Sequence, residues 1–203
     1  MSPATTTGQP KGLRQRVGQS RLGTLLVLAV TAALVMGGAY VIGRPAAAKA
    51  GVSAVSVGVG NGAAPKIGSA AQDFTATTVD GKKVSLSSYK GQAVWVTFGA
   101  SWCGACQAEA PDVEATYEKY KAQGVVVLAV SIQEDSATVR DYGKRLGLTY
   151  PQFADADDTI ASAYRVNGIP AHFFVDKTGI LRAMKTGALS PDQMDAALKE
   201  ITQ

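Results

Sequence analysis

Residues 94–111, VWVTFGASWCGACQAEAP, decide the fold of this chain. The first half is apolar, β-branched and aromatic, which predicts a buried strand over residues 92–100. The second half begins a helical pattern that continues to about residue 122. The two cysteines of the chain, Cys103 and Cys106, lie where the strand ends and the helix begins.

Strands and helices alternate on both sides of this stretch. Before it, apolar and polar residues alternate around Asp80-Gly81, which predicts a β-hairpin. After it, we predict a buried strand over residues 125–132, a helix over 135–146, a short strand and a short helix within 151–166, a hairpin of 171–176 and 179–187, and a last helix that begins at Ser190-Pro191-Asp192. This order predicts an α/β fold with a mixed central sheet covered by helices on both faces.

The basic charge of the chain is concentrated near its N-terminus. The formal net charge is +4, but six of the 20 basic residues and none of the 16 acidic residues lie in residues 1–50. The remainder therefore has a slight acidic excess and lacks the basic surface that binds nucleic acids. We expect no nucleic-acid partner.

Residues 22–43 carry no charge. As a helix they would span roughly 33 Å at about 1.5 Å per residue, which is enough to cross a hydrocarbon core. The basic tail before them, residues 1–21, keeps the N-terminus in the cytoplasm by the positive-inside rule. We therefore predict a single transmembrane anchor in the cytoplasmic membrane and an extracytoplasmic C-terminal domain, periplasmic or at the cell surface. The alternative is a signal peptide cleaved near residues 48–50, with a secreted product.

A flexible linker is predicted after this apolar segment. Residues 44–65 consist mainly of Ala, Gly, Ser and Val with little pattern, a composition typical of tethers. The globular domain then covers residues 66–203.

Two cysteines three residues apart could close a structural disulfide, bind a metal or form a redox pair. A structural disulfide around so short a loop would stabilise the fold little. A zinc site needs about four ligands, whereas this chain has two cysteines and a single histidine, His172, far away in sequence. We therefore expect no metal and no cofactor. A C-x-x-C motif between such elements of an exported domain favours a redox pair.

The helix start assigns the two cysteines different roles. Cys103 lies at the helix N-terminus, where unpaired N–H groups and the helix dipole stabilise a thiolate and lower the thiol pKa. We predict that Cys103 is the nucleophile. Cys106, one turn further and more buried, is the resolving cysteine that attacks the mixed disulfide.

The stretch at 94–111, together with GIPAHFFVDKTG at residues 168–179, resembles the membrane-anchored TlpA/ResA-like thiol–disulfide oxidoreductases, redoxin-type members of the thioredoxin superfamily. The resemblance covers residues 66–203 and implies a thioredoxin fold with an N-terminal β-hairpin extension. It also implies that Pro170 is cis and lies against the disulfide, where it and Ile169 help to dock the partner chain. In such relatives a transmembrane thiol transporter restores the reduced state, and apocytochrome c is a frequent substrate.

The sequence departs from the family pattern at three places. Thr97 replaces the buried aspartate of thioredoxins and cannot take up a proton. Gly104-Ala105 stands between the cysteines instead of Gly-Pro or Glu-Pro, so the redox potential does not follow from the resemblance. Ala171-His172 occupies a place where relatives often have threonine.

Glu109 follows Cys106 by three residues, so it shares one stripe of the helix with both cysteines. Relatives carry a glutamate at this spacing beside the cysteines. This implies that Glu109 raises the thiol pKa values by charge repulsion and accepts the proton of Cys106. The alternative is a solvent-facing glutamate that merely suits the helix dipole.

Trp102, His172 and Pro111 complete the set of candidate residues. Trp102 either covers the site and contacts partners or belongs to the core. His172 is either a base or, as is more common for a single histidine beside Phe173 and Phe174, a packing or surface residue. Pro111 is expected to be structural.

The sequence thus favours a monomeric enzyme, an extracytoplasmic thiol–disulfide oxidoreductase that reduces disulfides in partner proteins and acts in cytochrome c maturation. A thiol peroxidase is one alternative, but Ala100 and Val96 do not match the Pro-x-x-x-Thr/Ser-x-x-Cys turn of peroxidatic sites. A non-enzymatic, membrane-tethered adaptor is the other. The joint presence of Cys103, Cys106, Glu109 and Pro170 argues against it.

Overall fold

The computed structural model describes residues 21–42, 56–57 and 64–203. The chain divides into two compact units, residues 1–49 and 50–203. Each unit is described by itself.

The first unit contains helix α1, Arg21–Ile42, which coincides with the uncharged run predicted as an anchor. Among the described residues, however, no helix has both the length and the apolar character required to span a membrane. The transmembrane anchor over residues 22–43 therefore stays a prediction. The predicted basic tail, apart from Arg21, and most of the predicted linker lie outside the described residues.

The second unit is built on a mixed five-stranded sheet, as predicted. The strands are β4 (Ala93–Gly99), β5 (Val125–Ile132), β6 (Gln152–Asp155), β7 (Ala171–Val175) and β8 (Leu181–Thr186). Their order is β6-β5-β4-β7-β8, with β4, β5 and β6 parallel and β7 and β8 antiparallel to their neighbours. β4 and β7 are almost entirely buried because they occupy the centre of the sheet.

The described residues of this unit form four α-helices. They are α2 (Gly104–Lys121), α3 (Ser136–Leu146), α4 (Thr159–Ala163) and α5 (Pro191–Thr202). Local signals set their ends as the sequence predicts: the side chain of Asp135 caps α3, Gly147 ends it in the left-handed region, and Ser190 forms a capping box with Gln193 at α5. Pro111 lies inside α2, which continues past it.

The helices cover both faces of the sheet. On one face, α2 and α5 pack against Trp95, Val127 and Phe174. On the other face, α4 packs against a second apolar core that includes Phe98 and Phe153. This confirms the predicted layering.

The predicted hairpin is present as β2 (Phe74–Thr77) and β3 (Lys83–Ser85), with Gly81 at a positive φ in the turn. The two-residue strand β1 (Ser56–Val57) pairs with β2, and a 3-10 turn, Leu86–Tyr89, follows β3. Phe74 inserts into the second core and contacts Phe153 and Tyr164 edge-on. The extension is therefore packed into the domain.

Candidate active site

The cysteine pair lies at the junction of β4 and α2. Cys103 is the N-cap of α2, and its sulfur accepts a 3.1 Å hydrogen bond from the backbone N–H of Cys106. The two cysteines are joined by a disulfide. Their exposures are 9% and 7%, so Cys106 is the more buried, as predicted, but by a margin too small to distinguish the two. The N-cap position alone marks Cys103 as the cysteine whose thiolate the helix end stabilises.

The loop before β7 brings a distant segment against the disulfide. The peptide bond between Ile169 and Pro170 is cis. The carbonyl oxygen of Ile169 lies 4.0 Å from the sulfur of Cys103, and the Ile169 side chain packs against the cluster formed by Ala100, Cys103 and Cys106. The tertiary fold thus places the two predicted docking residues at the disulfide.

Trp102 does not belong to the core, since 57% of its surface is exposed. It borders a groove of about 330 Å³, which Ile132, Val166 and Ile169 also line. An exposed indole and aliphatic side chains beside the disulfide form a surface on which a polypeptide can pack.

Glu134 supports the loop in front of Cys103, and sequence reasoning missed it. One carboxylate oxygen accepts a 2.9 Å hydrogen bond from the backbone N–H of Ser101, and the other accepts one from the Ser101 hydroxyl. The side chain is buried. The order of strands contains a signal for this contact. Glu134 follows β5, which is parallel and adjacent to β4, so Glu134 and Ser101 lie at the same edge of the sheet.

Glu109 points into the protein. It is buried, and its Oε2 accepts a 2.7 Å hydrogen bond from the backbone N–H of Leu189. Its Oε1 lies 3.3 Å from Nε2 of His172. The solvent-facing alternative for Glu109 is therefore wrong.

His172 is completely buried on β7, directly opposite Thr97 in the ladder with β4. Its Nδ1 lies 3.3 Å from the indole nitrogen of Trp95 and 3.1 Å from the hydroxyl of Thr97. Sequence reasoning favoured packing or a surface position for this residue. The structure shows a buried residue with polar contacts on both ring nitrogens.

A small cavity of about 50 Å³ lies behind the disulfide. Cys106 and Glu109 both line it, together with the polar residues Thr97, Ser131, Tyr142, Tyr150 and Gln152. One water needs about 10–15 Å³, so the cavity is large enough to hold water. Burial raises the pKa of Tyr142 and of Tyr150, and nearby carboxylates, among them Glu109, raise both further.

The described part of the chain contains no group of three or more His, Cys, Asp or Glu side chains arranged to hold a metal ion.

A disulfide at the start of a helix, carried by this sheet and faced by a cis-proline loop, defines a thiol–disulfide oxidoreductase with a thioredoxin fold. Comparison with known proteins agrees with this class. The chain belongs to the AhpC/TSA family, whose sequence model matches residues 67–184.

Named relatives are oxidoreductases of the same kind. The chain is 36% identical over 135 residues to the thiol-disulfide oxidoreductase ResA of Geobacillus kaustophilus. The aligned region covers 66% of this chain and 78% of that protein. A thiol:disulfide interchange protein of Chlorobium tepidum superposes with a TM-score of 0.62 at 28% identity, over 69% of this chain and 100% of that chain. An exposed lipoprotein thioredoxin of Streptococcus pneumoniae gives a TM-score of 0.55 at 33% identity, over 63% and 98% of the two chains.

Proposed function

We propose that this protein acts outside the cytoplasm, as a monomer, and reduces disulfide bonds in partner proteins, apocytochrome c among them. The observation that carries the proposal is the disulfide at the N-cap of α2, with the Ile169 carbonyl 4.0 Å from the Cys103 sulfur. A partner chain can pair with this loop while its own sulfur reaches Cys103. The cytochrome substrate and the membrane thiol transporter that would restore the dithiol are inferred from the family resemblance.

The reaction proceeds through two exchanges. The Cys103 thiolate attacks a disulfide of the partner, which forms a Cys103–partner disulfide and releases one partner thiolate. The Cys106 thiol then loses its proton, attacks the Cys103 sulfur and releases the second partner thiolate, so that two electrons pass to the partner. The buried Glu109 carboxylate, which lines the same cavity as Cys106, is suited to receive that proton.

Trp102, Ile169 and Pro170 form the proposed docking surface. The exposed Trp102 indole and the Ile169 side chain flank the disulfide. Apolar residues next to the partner cysteine would pack against this pair, and the backbone before Pro170 would hold the partner chain in register.

The proposed location rests on the N-terminal sequence. The uncharged residues 22–43 follow a basic tail, a pattern that exports what comes after it. The similar pneumococcal protein is described as an exposed lipoprotein. We propose that the apolar segment stays attached as a membrane anchor. A mature N-terminus near residues 48–50 would instead indicate a cleaved signal peptide, and labelling of intact cells with a membrane-impermeant maleimide tests the side of the membrane.

A trapping experiment tests the activity. In the full-length chain, Cys106→Ser removes the resolving thiol, so Cys103 should accumulate as a mixed disulfide with its partners. The matched variant Cys103→Ser should form no such adducts. Wild-type protein should reduce insulin disulfides and cycle with dithiothreitol. If neither variant is trapped and the wild-type pair does not cycle, the proposal is wrong. Mass spectrometry of the adducts then shows whether a c-type apocytochrome is among them.

A further inference from the structure

The ring of His172 has a defined orientation. Nδ1 lies 3.3 Å from Nε1 of Trp95, and an indole N–H can only donate. Nδ1 therefore accepts and carries no proton. The hydroxyl of Thr97 also lies 3.1 Å from Nδ1, but the single lone pair of this nitrogen is already taken by the indole N–H, which sets the tautomer. The proton of the neutral ring consequently lies on Nε2.

The Nε2–H group faces Glu109. Nε2 lies 3.3 Å from Oε1 of the carboxylate, but the two groups are not aligned as a hydrogen bond, and Nε2 has no hydrogen-bond partner among the described residues. A completely buried N–H without an acceptor is costly. A small rotation of the Glu109 carboxyl group, which Leu189 holds only through the other oxygen, would align the pair.

We propose that His172 is a positioning residue for Glu109: its Nε2–H donates to Oε1 and holds the carboxylate ready to take the proton of Cys106. The proposal rests on the proton transfer proposed above. In the resolving step the S–H bond of Cys106 breaks and its proton passes to Glu109, directly or through cavity water. The Cys103–Cys106 bond forms, and the partner leaves as a thiolate that is protonated in turn.

The groups that face Glu109 come from several elements. Cys106 lies on its own helix, Tyr142 on α3, Tyr150 before β6 and His172 on β7. Burial raises the pKa of both tyrosines, so they remain phenols at neutral pH. Loss of the His172 Nε2–H removes the donor that faces Oε1, so the carboxylate is no longer held towards the cavity that Cys106 lines.

A stopped-flow experiment separates the two sulfur steps. Reduced full-length protein is mixed with an excess of an aryl disulfide that releases a coloured thiolate. A second-order phase reports attack by Cys103, and a first-order phase reports resolution by Cys106. We measure the first-order rate against pH in wild type, His172→Asn and His172→Gln. Asn retains an acceptor for Trp95 but lacks the donor to Glu109, whereas the amide of Gln reaches the Nε2 position.

We expect resolution in His172→Asn to be roughly tenfold slower than in wild type, because the proton acceptor is no longer held in position. His172→Gln should follow wild type. In a Glu109→Gln background, His172→Asn should cause no further change. Three results would overturn the proposal. They are equal resolution rates for wild type and His172→Asn, equal slowing in His172→Asn and His172→Gln, or a further slowing when His172→Asn is added to Glu109→Gln. If wild type shows no first-order phase, the proposed oxidoreductase mechanism itself fails.

A measurement on wild type remains decisive even if a variant does not fold. His172 is the single histidine of the chain, so its ring signals in a nitrogen-15 spectrum need no assignment. We expect the Nε2–H tautomer at pH 7 in the reduced protein. A ring protonated on Nδ1, or on both nitrogens, contradicts the proposal.

Discussion

The carboxylate of Glu109 accepts a 2.7 Å hydrogen bond from the backbone N–H of Leu189, a residue 80 positions later in the chain. This bond joins the second turn of α2 to the segment before α5. It turns Glu109 away from solvent and towards the cavity that Cys106 also lines. A carboxylate next to the redox pair is thereby part of the packed interior.

The first prediction concerns the charge of Glu109. Glu109→Gln keeps an oxygen that can accept from Leu189 but removes the charge and the proton acceptor. We expect resolution by Cys106 to slow about 100-fold at neutral pH, the lower range for loss of a general base. The pH profile of Cys103 alkylation should also shift, because a neighbouring negative charge opposes thiolate formation.

Alkylation rates measured with iodoacetamide across pH, together with the stopped-flow resolution rate, check this prediction. Glu200→Gln, an exposed change on α5, is the matched control and should behave as wild type. An unchanged Glu109→Gln profile would leave this residue a purely structural role.

The second prediction concerns Glu134. Glu134→Gln weakens two hydrogen bonds from Ser101 to a buried carboxylate. We expect the free energy of unfolding to fall by about 1.5–3 kcal/mol, the usual contribution of a hydrogen bond to a charged group. Reduction of protein disulfides should slow as well, since the loop carrying Trp102 loses its support. Urea unfolding and insulin reduction measure the two effects, and the exposed change Glu118→Gln should alter neither.

The third prediction is an acid-dependent loss of stability at Asp176, in the turn between β7 and β8. Burial acts to raise the pKa of Asp176, but hydrogen bonds from Thr178, Ile180 and Arg182 outweigh it and lower the pKa to about 2. A carboxyl group with a depressed folded-state pKa stabilises the fold above its unfolded pKa, 3.8. This contribution should therefore be lost as the pH falls from about 4 to about 2.

Urea unfolding at several pH values tests this. Asp176→Asn should lower stability at pH 7 and make the decline between pH 4 and 2 shallower, so that the two curves approach each other near pH 2. Asp112→Asn, an exposed change on α2, serves as the control. Parallel curves for Asp176→Asn and wild type would show that Asp176 does not contribute to the acid sensitivity.

The fourth prediction concerns the packing of the N-terminal extension. Phe74 is completely buried between Phe153 and Tyr164. Phe74→Ala should destabilise the domain by about 3–5 kcal/mol, as is typical of a truncated core phenylalanine. Ile67→Ala, where 53% of the side chain is exposed, should change stability by at most about 0.5 kcal/mol. Thermal and urea unfolding distinguish a docked extension from an independent one. For an independent extension, Phe74→Ala and Ile67→Ala would change the stability of the domain alike.

Most of the architecture could be predicted because it depends on local signals. The run of β-branched and aromatic residues in β4, the capping residues of α3 and α5, and the turn at Gly81 act within a few residues of themselves. The position of Cys103 directly before a helix likewise predicts its role from local geometry. Burial of the two cysteines was harder to predict, because it depends on what packs over them, above all Ile169.

The α/β architecture and the redox pair, with Cys103 as its predicted nucleophile, follow from the order of residues, since period, spacing and helix ends are properties of neighbouring residues. Only the tertiary structure decided the surroundings of that pair. Glu134 follows β5 and holds Ser101 in front of Cys103, and His172 on β7 faces Glu109 on α2; the sheet order brings these distant residues together. The partners of a buried polar group are set by the chain topology, which no local pattern encodes.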